Sequence, residues 1–163
     1  MSFRINTPNE NGSLSQSFKG EPVKVAPEVI TYLQGQPPNR IILPSLSIDI
    51  PVRISPIKQG YWVVYKDSAG FGEGSTAPGN KGNTVIFAHA REGLFLGLKT
   101  IRIGARIYVF TQDRYFTYIV TEIKEVLPND IEVISPTIDE TLTLYTCSGF
   151  LDKKRLIVIG KPI

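Results

Sequence analysis

A chain of 163 residues, 42% hydrophobic and 20% charged, is long enough for one domain with a substantial core and has the balance of a soluble globular protein. Its 18 basic and 15 acidic side chains leave a net charge of +3, too small and too scattered for nucleic-acid binding. A single cysteine excludes an internal disulfide, and no run approaches the roughly 18–20 apolar residues that span a bilayer.

Residues 1–38 form an arm or spacer set apart by composition: Asn, Ser, Gln, Pro and Gly dominate, and Pro37-Pro38 closes the stretch. Residues 1–20 read as flexible. Residues 27–33 read either as one or two helical turns, with Pro27 in the first turn and Gly35 ending them, or as plain spacer. Met1–Gln16 has no apolar core of a signal peptide. The chain is then a soluble intracellular protein, or one trimmed of an upstream anchor.

The folded domain is expected over 39–163, and from Arg40 its pattern is that of strands. Ile41-Ile42-Leu43 is a short apolar run stopped by Pro44. Ser47 to Ile54 places Ile48, Ile50, Val52 and Ile54 on one face, as a half-buried strand requires. Tyr61–Tyr65 is aromatic and β-branched, hence a further strand. Gly70–Gly82 holds five glycines and a proline and is expected to be a long loop. Thr84–Ala88 is a buried strand that delivers His89 at its end, and Leu94–Leu98 should make a helical turn. Ala105–Thr111 and Arg114–Val126 form a hairpin around Gln112-Asp113. Residues 127–140, with two prolines and several acids, are a second long loop; Thr141–Cys147 and Arg155–Gly160 are the last strands. About eight short strands with almost no helix predict an all-β protein closed, or nearly closed, into a barrel.

The chain contains one thiol, Cys147, and one imidazole, His89, and Arg155 heads the strand after the thiol. If Leu142 and Leu144 fill the core, Thr143, Tyr145 and Cys147 face outward. The seven-residue loop Ser148–Lys154 lets adjacent strands hold Cys147 and Arg155 together. A thiolate is the attacking species in acyl transfer, and an imidazole can take the thiol proton and return it to a leaving amine. The always-charged planar fork of Arg155 suits a developing oxyanion. Thr146 adds a hydroxyl and an N–H beside the nucleophile, and Lys153, Lys154 and Arg155 favour thiolate. Singly, each has a plainer account: a lone Cys is usually a small buried hydrophobe, a lone His a surface residue, a strand-initial Arg a solvated charge. The case rests on the three together. One Cys and one His are too few for a metal site, and the glycine-rich loop lacks Gly-Lys-Ser/Thr and is no phosphate cradle.

The joint pattern resembles the sortases. Thr143-Leu144-Tyr145-Thr146-Cys147 matches their Thr-Leu-x-Thr-Cys segment, and Arg155-Leu156-Ile157-Val158 their Arg-Leu-Ile-Val-like strand. Pro78-Gly79…Gly82-Asn83-Thr84-Val85-Ile86-Phe87-Ala88-His89 matches the strand ending in histidine, with Ala88 where glycine is common. Phe95 to Leu98 and the opening Arg40–Val52 extend the likeness over about residues 40–160.

The resemblance implies an eight-stranded sortase-type barrel with one or two short helices and a cysteine transpeptidase of the peptidase class. Cys147 would attack the Thr–Gly bond of an LPXTG-like sorting signal, His89 would be the acid/base, and Arg155 would hold the substrate backbone or oxyanion. Thr146, with Tyr145 and Ser148, would bind substrate, between walls formed by 127–140 and 148–154. The partners would be sorting-signal peptides of surface proteins and an amine acceptor, a cell-wall precursor or another protein. The sequence has no Asp-Pro of the lid-bearing pilus enzymes, and its Cys-to-Arg loop is too short for an inserted helix, so a class D/E-like enzyme with an open groove is expected. Some members take up calcium through acids on facing loops, and Glu73, Asp130, Glu132, Asp139 and Glu140 are the acids available here. Loop acids are ordinarily just solvated, and no cofactor is expected. Family members are anchored at the outer face of Gram-positive cells, so the missing anchor points to truncation, with 1–38 a spacer. A cysteine hydrolase on the same barrel, and a non-enzymatic peptide-binding β-barrel, are the alternatives.

Overall fold

The computed structural model describes the backbone of residues 23–24 and the whole of residues 35–163; the arm expected over 1–20 and the turns over 27–33 lie outside them. Within this range the strands are β1 (Val23–Lys24), β2 (Arg40–Leu43), β3 (Ile48–Ser55), β4 (Ile57–Lys58), β5 (Tyr61–Trp62) and β6 (Ala69–Gly72). They continue with β7 (Gly82–Phe87), β8 (Arg106–Phe110), β9 (Tyr115–Val126), β10 (Glu140–Ser148) and β11 (Lys154–Pro162). Eight of them close a barrel in the order β10-β11-β9-β8-β2-β3-β6-β7, and β7 returns to pair with β10. Closure leaves the barrel itself without an unpaired edge. Most neighbours are antiparallel; β3–β6 and β7–β10 are parallel.

Alternating burial in β3 puts Ile48, Ile50 and Val52 inside, and Pro44 stops β2 by opening a 3-10 turn, Pro44–Leu46. The barrel interior holds Ile41, Phe71, Ile86, Tyr118, Leu142 and Leu144 among its fully buried side chains. A second apolar cluster lies outside the barrel wall, where Trp62, Ile134 and Tyr145 pack with Val85, Phe87 and Ile157. It forms because the segments between β3 and β6 and between β9 and β10 fold back over β7, β10 and β11. All six residues of β7 are therefore buried, the polar Asn83 and Thr84 as well as the apolar run Val85-Ile86-Phe87.

The hairpin, the turn after His89 (Leu96–Thr100) and both last strands follow the expectations. Three details differ. Gly70 and Gly72, expected in a loop, belong to β6. A Cβ on Gly72 would run into the Trp62 ring, and one on Gly70 would strike Ser55 Oγ and stand 2.9 Å from the Phe87 ring. Glycine here marks a strand crossed closely by aromatic rings. Tyr61–Tyr65 is not a barrel strand: only Tyr61–Trp62 is extended, in a small sheet β1-β5-β4. Its anchor is Trp62, wholly buried, stacked on Phe87 at 5.5 Å and donating from Nε1 to Glu73 O at 2.9 Å. Ile54 is 43% exposed, because alternation slips after Val52 and Ser55 turns inward beside Gly70.

Candidate active site

Three adjacent strands bring the site together at one rim. β7 and β10 run parallel in the register Ile86↔Leu144 and Phe87↔Tyr145. The tie continues beyond the ladder, where Ala88 N donates to Tyr145 O (3.3 Å) and Thr146 Oγ1 donates to Ala88 O (2.8 Å). One residue further along each chain stand His89 and Cys147. On the far side of β10, antiparallel β11 sets Arg155 directly opposite Cys147. Neighbouring strands lie about 4.8 Å apart, so imidazole, thiol and guanidinium start from three consecutive backbone tracks. The turn after His89 is fixed from inside: Phe95 N donates to His89 O at 3.0 Å, and Phe95 and Leu98 are buried in the barrel core.

Cys147 is 6% exposed, yet it belongs to neither apolar cluster. It sits on the outer face of β10 with Thr143 and Tyr145, and its surroundings are two openings in the surface. One is a narrow cleft lined by Val64, Phe87, Tyr145 and Arg155; the other is a wider cavity bordered by Ser148, Leu96 and Glu125. The thiol is sheltered from bulk water without being part of a hydrocarbon core.

Arg155 is buried (5% exposed), and its Nη1 donates to Asp152 O (2.7 Å) and Lys154 O (3.0 Å). These bonds fold the β10–β11 loop back on the guanidinium and are both made by one of its nitrogens. The loop carries strain at the same place: Leu151 and Asp152 have φ of 54° and 56°, and Phe150 and Leu151 are exposed. Burial raises the Tyr145 phenol above its ordinary range; the charge of Arg155 and a hydrogen bond to it pull the other way, and Cys147 raises it further. Tyr145 is thus a neutral hydroxyl at working pH.

The other expected substrate contacts are placed as follows. Thr146 is buried and its hydroxyl proton is committed to Ala88 O, so that side chain stitches the histidine strand to the cysteine strand. Tyr145 packs its ring into the outer cluster. Ser148 is half-buried and donates to Glu125 Oε2 at 3.4 Å. Residues 127–139 cover the outer face through Ile134, and the 3-10 turn Glu132–Ile134 is pinned by Asn83. Asn83 Nδ2 donates to Val133 O (3.2 Å) and Ser135 O (3.0 Å), while its Oδ1 accepts from Thr143 Oγ1 (2.6 Å). Among the loop acids considered for calcium, Glu73 accepts from Ile57 N (2.9 Å), and Glu140 accepts from Tyr118 Oη (2.7 Å) and Gly79 N (3.0 Å). Among the described residues no group of three His, Cys, Asp or Glu is placed to hold a metal.

Asn83, Trp62 and Val64 were not singled out from the sequence. A buried amide inside an apolar strand, and the only tryptophan beside a glycine-rich stretch, were the signals available.

Known proteins share this fold. A sortase-domain family model matches residues 41–163. Sortase A of Bacillus anthracis is 30% identical over 125 residues, which are 74% of this chain and 57% of that protein. Among solved structures, Streptococcus pneumoniae sortase C superposes with a TM-score of 0.69 at 28% identity, over 80% of this chain and 70% of that one. A lid mutant of Corynebacterium diphtheriae sortase A does so at 0.68 and 24% identity, over 80% and 72%, a likeness of fold. The closed eight-stranded barrel is a sortase architecture. The chain belongs to the sortase family. It spans 57% of the length of the B. anthracis relative that it matches, and these relatives carry A and C designations rather than D or E. No helix among the described residues is long and apolar enough to cross a membrane.

Proposed function

We propose that this chain is a cysteine transpeptidase that cleaves an LPXTG-like sorting signal through a thioester and passes the protein to an amine. The observation that carries the reading is the pairing of Cys147 with Arg155 across β10 and β11, one strand from the end of β7 that bears His89. In the first half-reaction His89 takes the thiol proton and sulfur attacks the scissile carbonyl carbon. The oxygen becomes an oxyanion facing the Arg155 fork. Collapse breaks the C–N bond, and His89 protonates the departing amine. The sheltered position of Cys147 strengthens each of these charge interactions and keeps water from the thioester. Tyr145, Thr146 and Ser148 line the nucleophile, with 127–140 and 148–154 on either side. The reaction belongs at the outer cell surface, with sorting-signal peptides as donors and a cell-wall precursor or protein amine as acceptor. The short Cys-to-Arg loop favours a class D/E-like enzyme.

Mass spectrometry after mixing with an LPXTG peptide tests this. The expected result is a thioester adduct on the wild type, none on Cys147→Ala, and a new amide product when an amine is added. Free acid alone, with amine present, makes the protein a hydrolase; binding without an adduct makes it a peptide-binding barrel.

A further inference from the structure

The two openings beside Cys147 are unlike each other, and they share only Thr146 and Cys147. The one on the Arg155 side is a cleft of about 10 Å³ walled by Val64, Phe87 and Tyr145. The one on the Ser148 side is a cavity of about 280 Å³ whose lining includes Lys99, Glu125 and Asp152. That is near the lower end, about 300 Å³, of small-ligand sites. Resting on the transpeptidase reading, we infer that this wider cavity receives the amine acceptor and that Glu125 is a specificity-determining residue for it.

The chemistry of a thioester decides which opening serves which substrate. The oxyanion must form where Arg155 can meet it, and Arg155 lines only the narrow cleft of these two. The thioester oxygen therefore faces the Arg155 side, where a cleft of about 10 Å³ has no room for a second substrate, and the resolving nucleophile comes through the wider opening. A primary amine at neutral pH is mostly ammonium, and the lining sets two carboxylates, Glu125 and Asp152, against one ammonium, Lys99. Glu125 stands closest along the chain of contacts to the thiol, because Ser148, next to Cys147, donates to its Oε2 at 3.4 Å. The carboxylate gathers the ammonium at the cavity mouth, and the amine loses one proton to solvent before it reacts. Its nitrogen lone pair then forms the C–N bond, and the C–S bond breaks with its electron pair returning to sulfur. The second N–H proton passes through His89 to that sulfur, giving amide and thiol.

The test compares two nucleophiles on a preformed acyl-enzyme: triglycinamide, cationic at neutral pH, and hydroxylamine, which is mostly neutral there. The quantity read is the ratio of their resolution rates. Glu125→Gln keeps an acceptor for Ser148 and removes the charge. It should lower the ratio roughly three- to ten-fold, and about 0.5 M salt should shrink the difference. Glu122→Gln makes the same charge change on the same strand outside the cavity, where Glu122 pairs with Lys124 at 3.2 Å, and should leave the ratio at the wild-type value. An unchanged ratio in Glu125→Gln, or an equal fall in Glu122→Gln, overturns the inference while a detected thioester leaves the transpeptidase reading standing. No thioester on the wild type overturns both.

Discussion

Replacing Asn83 by alanine should loosen the roof of the site more than the barrel beneath it. The side chain is 3% exposed and makes three hydrogen bonds, one with Thr143 and two with the carbonyls of Val133 and Ser135. Thr143 is wholly buried, so losing its partner leaves an unsatisfied hydroxyl, a cost of about 1–3 kcal/mol. The two loop carbonyls lie nearer the surface and can turn to water, so each lost bond costs only about 0.5–1 kcal/mol. The sum is about 2–5 kcal/mol, or a fall in Tm of roughly 4–20 °C for a chain of this size. Urea unfolding should show a lower midpoint with an unchanged slope. Adding Thr143→Val removes the orphaned hydroxyl, so the double variant should be less destabilised than the sum of the singles by about 1 kcal/mol or more. With the Glu132–Ile134 turn released, KM for a sorting-signal peptide should rise more than kcat falls. A loss below about 1 kcal/mol, or strict additivity in the cycle, would refute the account of Asn83 as the pin between wall and roof.

Arg155→Lys should reduce kcat/KM by about 100-fold or more in a transpeptidation assay, because an ammonium cannot reproduce a fork that holds Asp152 O and Lys154 O and still reaches an oxyanion; wild-type rates would retire that role. Gly72→Ala should push Trp62 off β6 at a cost of about 1–3 kcal/mol. Trp62 is the only tryptophan, so its emission should shift to the red in that variant, and an unmoved spectrum would contradict the close approach. The Arg40–Asp49 pair, bonded at 2.7 and 2.6 Å, lowers the Asp49 carboxyl chiefly through these hydrogen bonds. A depressed carboxyl stabilises above its unfolded value, near pH 4, and that contribution fades as the pH falls through the folded one. Asp49→Asn should therefore lose the difference in stability from wild type on acidification below about pH 4, and high salt should mask it at neutral pH. A difference that instead grows with acid would reverse the sign assigned to the pair.

What was legible in the sequence is what repeats along a strand. Period-two burial in β3 marked a barrel strand; β10 is buried on both faces, but the counting that put Leu142 and Leu144 in the barrel core also put Cys147 on the other face, where it stands. The strand ends carrying His89 and Arg155 followed from the same runs. Less legible was anything fixed by contact across the chain. Gly70 and Gly72 look like loop residues until Trp62 and Phe87 are laid on them. Tyr61–Tyr65 has the composition of a barrel strand, but its tryptophan is held by Glu73 O and Phe87, so the segment becomes a wall of the cleft through Val64. Thr146 looked like a substrate contact from its place beside the thiol. What the sequence did not show is that its hydroxyl also ties β10 to the histidine strand, a bond that depends on the parallel pairing.

That parallel pairing is the feature on which fold and site depend together. In an antiparallel pair the ends of neighbouring strands point to opposite rims; in β7 and β10 they point the same way, so residues just past each strand emerge side by side. The same pairing closes the barrel, which means the contact that brings His89 toward Cys147 is also the one that removes the barrel's edges. A change that weakens the β7–β10 seam should therefore lower stability and acylation together, whereas changes at Arg155, on the antiparallel side, should separate them. Thr146→Val is the sharpest case, since it keeps the shape and leaves Ala88 O without its 2.8 Å donor. It should cost about 1–2 kcal/mol of stability and slow acylation by misplacing the strand end that bears the histidine. A stable variant with slow acylation would instead give the hydroxyl a direct part in the reaction, and the seam would be the wrong place to locate its effect.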